Sequence, residues 1–135
     1  MTLKKITRRW ATVLALALTL GAAGCADQSA NSAEEARFCA YLPDTVGLYV
    51  GNPVTQMGYP VGRVTAIEAG ATQVRVDFSV TAERAIPADV KAVIRSPSIL
   101  ADRSLELVGN YAGGPQLTSS ECIGLDRSFS PKTLS

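Results

Sequence analysis

Between Cys39 and Cys122 the hydrophobic pattern repeats every two residues. Gln73-Val74-Arg75-Val76-Asp77-Phe78-Ser79-Val80 alternates polar and apolar without a fault, which predicts a strand with one wet and one buried face. Val61 to Ile67, Val90 to Arg95 and Ser104 to Val108 are shorter runs rich in Val, Ile and Leu and predict further strands. Turn chemistry at Gly70, Pro87, Pro97 and Gly109 separates them. After residue 40 no stretch keeps an apolar stripe at helical spacing over three turns. Frequent strands with almost no helix predict an all-β domain, either a small antiparallel barrel or a sandwich. The barrel is favoured because closure removes exposed edges.

The beginning of the chain follows a different pattern. Lys4, Lys5, Arg8 and Arg9 precede an apolar run from Trp10 to Leu20, and the small residues Gly21-Ala22-Ala23-Gly24 lead to Cys25. A basic start, an apolar stretch and small residues make an export signal, and the apolar run is shorter than the roughly 20 residues a membrane span needs. The junction resembles the lipobox of bacterial lipoproteins, whose cysteine is acylated. Ala22 stands where such boxes usually carry Leu, with Leu20 two positions upstream. Residues 1–24 are therefore expected to be a lipoprotein-type signal peptide and Cys25 the lipidation site, with plain cleavage and an uncleaved anchor as alternatives. Ala26 to Ala36 contains no large apolar residue and has nothing to bury. Residues 25–38 are expected to be a flexible tether, 39–125 the barrel domain and 126–135 a short tail.

Composition narrows the chemistry. At 135 residues, 47% of them hydrophobic, the chain holds one ordinary domain. Histidine is absent, which excludes a Ser-His-Asp triad, a Cys-His dyad and a histidine-ligated metal. No other nucleophile–base pair or metal-ligand cluster stands out, so an enzyme is the weakest reading, and neither a cofactor nor a metal is expected. The formal charge of +1 is uneven, because four of the 13 basic residues precede Cys25 and leave nine against 12 acids. A body of about −3 is a poor match for a nucleic-acid backbone. With Cys25 carrying lipid, Cys39 and Cys122 remain as a pair in an oxidising compartment, where a disulfide is expected over two buried free thiols. They bracket the whole patterned region, and closing so long a loop is worth about 4 to 5 kcal/mol in the chain-entropy account.

Four segments carry a resemblance. Val46-Gly47-Leu48-Tyr49-Val50-Gly51-Asn52-Pro53-Val54, then Met57-Gly58-Tyr59-Pro60-Val61-Gly62-Arg63-Val64, then Ile86-Pro87-Ala88-Asp89 and finally Leu105-Glu106-Leu107 resemble the MCE (mammalian cell entry) domain of MlaD-like proteins, over residues 41–125. Cys39 to Pro43 and Cys122 to Pro131 are similar to its actinobacterial-type lipoprotein branch. The resemblance implies a small MCE-type β-barrel on the outer face of the inner membrane and assembly with other MCE-domain subunits in a hexameric ring. It also implies an ABC permease and ATPase as partners, with a lipid or sterol as substrate. Related components continue into a long helical region beyond the domain, so the expected role is ring subunit, accessory lipoprotein or adaptor. In physical terms Pro53 lacks a ladder donor, and Gly51, Gly58 and Gly62 permit angles or approaches that a Cβ blocks, so these residues read as turns and barrel corners. Arg63 reads as a solvated strand residue.

The connection Ser96-Pro97-Ser98-Ile99-Leu100-Ala101-Asp102-Arg103 places two large aliphatics near the tip of a polar loop. The resemblance implies that Ile99 and Leu100 line a central pore and contact lipid. An apolar annulus suits acyl chains crossing an aqueous space. The alternative is that both side chains fold back onto their own barrel. Ala101-Asp102 departs from the glycine-acid pair frequent in the family. The leading expectation is a non-enzymatic lipid-transfer subunit, and the alternative is a cell-envelope interaction or host-contact lipoprotein with no lipid conduit.

Overall fold

The computed structural model describes residues 34–100 and 102–131. The expected signal peptide and Cys25 lie outside the described residues. The elements are β1 (Glu35–Leu42), β2 (Pro53–Gln56), β3 (Tyr59–Ala69), β4 (Val74–Thr81), β5 (Lys91–Arg95) and β6 (Ser104–Val108), followed by a 3-10 turn (Leu125–Arg127) and β7 (Ser128–Phe129). They form one seven-stranded sheet in the order β1-β4-β3-β2-β6-β5-β7, giving the all-β architecture that the alternating pattern predicts.

The sheet is built from hairpins. In β4, Val76, Phe78 and Val80 point inward and are fully buried, whereas Arg75 and Asp77 face out and pair with each other at 2.9 Å. The β2–β3 hairpin turns on Met57 and Gly58 between the paired residues Gln56 and Tyr59. Both turn residues have positive φ, 54° and 76°, the type I′ geometry whose twist matches the flanking strands. Bulges at Val54/Thr55 and Val64/Ala66 bend the strands and help the sheet to curl. Within β3, a Cβ on Gly62 would lie 1.8 Å from the Ser79 carbonyl oxygen, so only glycine lets β3 and β4 approach this closely.

Curling brings the two edges together. Tyr41 N–H donates to the Ile123 carbonyl and Ile123 N–H to the Cys39 carbonyl, each at 2.8 Å. Next to this bridge Cys39 and Cys122, 83 residues apart, form a disulfide with their Cα atoms 4.6 Å apart. The barrel interior is filled by Leu42, Val54, Val64, Val76, Phe78, Ile86, Leu105, Leu107 and Ile123, and Phe38 packs its ring 6.0 Å from that of Phe78.

Three features differ from the expectations. Strand β1 begins at Glu35, inside the segment read as tether, because its alternate residues Ala36, Phe38, Ala40 and Leu42 line up with β4 and need little hydrophobicity to hold an already ordered edge. β7 lies in the segment read as a tail, pairing in parallel with β5. The sheet is also not wholly antiparallel, since β2 and β6 run parallel across the long connection between them.

Candidate functional site

Strand directions sort the connections to two ends of the barrel. The β1–β2, β3–β4 and β5–β6 connections lie at one end. The start of β1, the β2–β3 turn, the β4–β5 connection and the chain following β6 lie at the other.

At the first end the β5–β6 loop leaves the sheet after the last pair, Arg95 with Ser104. Its tip carries Ile99 and Leu100, 100% and 94% exposed. Neither side chain folds back onto the barrel. The base of the loop is attached to its neighbour, because Arg103 Nη1 donates to the Val46 carbonyl in the β1–β2 connection. That connection turns at Gly47 with φ at 77° and exposes Val46, Tyr49 and Val50. A second bond, from Tyr49 N–H to Asn52 Oδ1 at 2.8 Å, shapes the same connection. Two neighbouring loops, joined through Arg103, thus carry exposed apolar side chains on one end of the domain. Exposed apolar groups brought together in this way mark a contact surface for a partner or a hydrophobic ligand.

The opposite end is polar at its base. Glu106 is buried on β6 and accepts from the Thr55 hydroxyl and, at 3.2 Å, from the Gly58 N–H. One carboxylate therefore holds both β2 and the turn after it, and both of its oxygens are satisfied. Gln56 is similarly clamped, its Oε1 accepting from Arg84 at 2.9 Å while its amide donates to the Gly109 carbonyl. Beside it opens a pocket of about 510 Å³ lined by Thr81, Glu83, Arg84, Asn110 and Tyr111.

Arg63 is two-thirds exposed and 3.6 Å from Glu35, on the solvated face as its position suggested. Asp77, by hydrogen bond and then by charge, holds the Arg75 guanidinium above its ordinary value. Among the described residues no group of three His, Cys, Asp or Glu is placed to hold a metal, and no helix is long and apolar enough to cross a membrane. The sequence marked the Ile99–Leu100 tip but not the Arg103 attachment or the Glu106 clamp. An acid between two core leucines in a short strand was the one signal available for Glu106.

The domain is a small β-barrel closed by a β1–Ile123 bridge, with exposed apolar side chains on the loops at one end, an architecture consistent with an MCE-type domain. The family model described as "MlaD protein" matches residues 35–110, more than half of the chain, and the chain belongs to that family. Among solved structures it is similar to the Acinetobacter MlaFEDB complex in its ATP-bound Vtrans1 conformation, with 15% identity and a TM-score of 0.65 over 96% of this chain and 90% of that one. At that identity the likeness is one of fold. No curated protein matches the chain.

Proposed function

We propose that this chain is a non-enzymatic lipid-transport component of the cell envelope, anchored through an acylated Cys25 on the outer face of the inner membrane. In this reading it assembles with other MCE-domain subunits as a ring and hands a lipid or sterol to or from an ABC permease driven by its ATPase. Membership of the MlaD family supports the transport role, and the fold shared with the MlaFEDB complex supports partners of the permease and ATPase kind. The observation that carries the proposal is the Ile99–Leu100 tip, two aliphatics wholly in solvent on a loop whose base is fastened to its neighbour. Exposing them is unfavourable, and covering them with an acyl chain or a sterol ring recovers about 1.5 to 3 kcal/mol per side chain.

Native mass measurement of the detergent-extracted protein tests this reading. Multimers of the chain, or of the chain with sister subunits, carrying co-extracted lipid are expected. A lipid-free protein bound to other envelope proteins would favour the contact-lipoprotein reading instead.

A further inference from the structure

Gln56, the last residue of β2, is 4% exposed and uses both ends of its amide to hold two separate segments. Its Oε1 accepts from Arg84 in the β4–β5 connection at 2.9 Å, and its nitrogen donates to the Gly109 carbonyl in the chain after β6. A buried polar group satisfied on both sides is rigid, so it sets the separation of the two segments. Between them lies the pocket of about 510 Å³, inside the range of roughly 300 to 1,000 Å³ typical of small-molecule sites. Each wall is fixed again by its own bonds. Arg84 N–H donates to the Thr81 carbonyl at 3.0 Å. The Tyr111 hydroxyl donates to the Gly114 carbonyl, also at 3.0 Å, across a turn in which Gly113 and Gly114 have φ of 104° and 93°. The aromatic ring is therefore held by its own loop.

The pocket offers a ligand mostly acceptors. Exposed Glu83 has no hydrogen-bond or ion-pair partner among the described residues. Asn110 directs its amide nitrogen at Met57 Sδ and keeps Oδ1, and the Thr81 hydroxyl donates to the Val61 carbonyl at 3.0 Å and keeps its lone pairs. Arg84 supplies the N–H groups that it does not give to Gln56. Glu83 and Arg84 are the charged residues of the lining, and their charges cancel.

We infer that this pocket binds an uncharged sugar ring, free or as the end unit of a glycolipid or polysaccharide, with the ring against Tyr111 and its hydroxyls on Glu83, Arg84 and Asn110. A ligand that suits the lining donates several hydrogen bonds and carries no net charge, which describes a polyhydroxyl compound. A phosphate would meet the Glu83 carboxylate, and an ammonium group the Arg84 guanidinium, so neither sign of charge is favoured. The C–H face of a pyranose is apolar and matches an aromatic surface, and a planar carboxylate or guanidinium can each engage two neighbouring hydroxyls. The inference needs neither the acylation of Cys25 nor a lipid conduit, and the pocket lies at the end of the barrel opposite Ile99 and Leu100.

Saturation-transfer NMR titration of the full chain, held in a detergent without a sugar headgroup, tests this inference. The probes are the methyl glycosides of glucose, mannose and galactose, with inorganic phosphate and phosphocholine as charged controls. Saturable binding of at least one glycoside with a Kd of about 1 mM is expected for a single ring, without binding of the controls. Tyr111→Ala should weaken it about tenfold through the lost aromatic contact, and Glu83→Ala by a similar factor, at an unchanged thermal midpoint. Glu83 has no partner to lose among the described residues, so its variant separates binding from folding if Tyr111→Ala loosens its loop. Glycoside binding that survives Glu83→Ala at full strength overturns the inference. So does the failure of all three glycosides to bind, or a preference for phosphate or phosphocholine. A hexosyl diacylglycerol in the same micelles and a soluble hexose oligosaccharide distinguish the sources: tighter binding of the first indicates a lipid headgroup and of the second a glycan, and either result upholds the sugar site. Loss of the site leaves the transport reading untouched, because that reading rests on the other end of the barrel.

Discussion

The arm of Arg103 fills the space that a side chain at Gly47 would occupy: a Cβ there would come within 2.8 Å of Nε and 2.9 Å of Cδ. Glycine is required at this position for a second reason, since the backbone φ of 77° disfavours any L side chain. The contact joins the β1–β2 connection to the base of the β5–β6 loop, two segments with no strand pairing between them. It fixes the direction in which the loop leaves the barrel.

Gly47→Ala should therefore lower stability by about 1 to 2 kcal/mol through backbone strain and also displace Arg103. Arg103→Ala should cost about 0.5 to 1 kcal/mol, because its hydrogen bond is exposed. The two residues share one contact, so the double variant should fall short of the sum. Denaturant unfolding of the four proteins in this cycle checks it, and strict additivity would mean that the residues do not act together.

The paired substitution Ile99→Asn with Leu100→Asn separates transport from folding. Both side chains are in solvent, so the thermal midpoint should move by no more than the usual surface effect of about 0.5 kcal/mol. Lipid co-purification should be lost. Thermal unfolding and lipid extraction on the same preparation measure both. Unchanged lipid content in a well-folded variant would leave the loop without a part in transport.

How far the sequence revealed this arrangement depended on the kind of signal each part leaves. β4 was legible because Val74, Val76, Phe78 and Val80 alternate with polar residues at a period that no helix shares. β1 has the same alternation, but two of its four inward positions are alanine, which carries too little hydrophobicity to stand out from the polar stretch before it. β7 is two residues long and too short to show a period. The Ile99–Leu100 tip was legible as an apolar pair in a polar loop. Its attachment was not, because Arg103 donates to a backbone carbonyl, and a carbonyl leaves no mark in a sequence. Closure of the sheet was expected because it removes exposed edges, but the only mark of where it closes was the pair of cysteines.

Gly62 and Gly58 belong to the same motif and should respond differently to alanine. At Gly62 the new methyl would meet the Ser79 backbone oxygen at 1.8 Å, and a paired strand has no freedom to yield. Loss of more than about 4 kcal/mol, or failure to fold, is expected. At Gly58 no atom lies within 4 Å, so only the positive φ resists substitution, at about 1 kcal/mol. Thermal unfolding of both variants decides it, and equal losses would contradict the close-approach argument.

Cys25→Ser tests the anchor directly. The variant should leave the membrane fraction and appear in the soluble extract, and the mature wild-type chain should carry the added mass of its acyl groups. Retention of the cleaved variant on membranes would show that partner subunits, rather than lipid, hold the domain there.

Reduction of the Cys39–Cys122 bridge gives the last test. The disulfide links β1 to the chain just before the 3-10 turn, at the point where, among the described residues, two backbone hydrogen bonds join β1 to Ile123. β1 is paired with β4 along its whole length, and this pairing does not depend on the bridge, so the hairpin core should survive reduction while the C-terminal segment detaches more readily. The bridge constrains the unfolded chain over 83 residues, and its removal should lower stability by about 4 to 5 kcal/mol. For a domain of this size that corresponds to a fall in thermal midpoint of about 15 °C or more. Cys39 is 5% exposed but Cys122 is only half-buried, so a reductant should attack at Cys122, and reduction should speed up as denaturant opens the seam. Non-reducing peptide mapping establishes the pairing, and melts with and without reductant measure its worth. An unchanged midpoint after complete reduction would show that the seam is held by its hydrogen bonds and the burial of Ile123 alone.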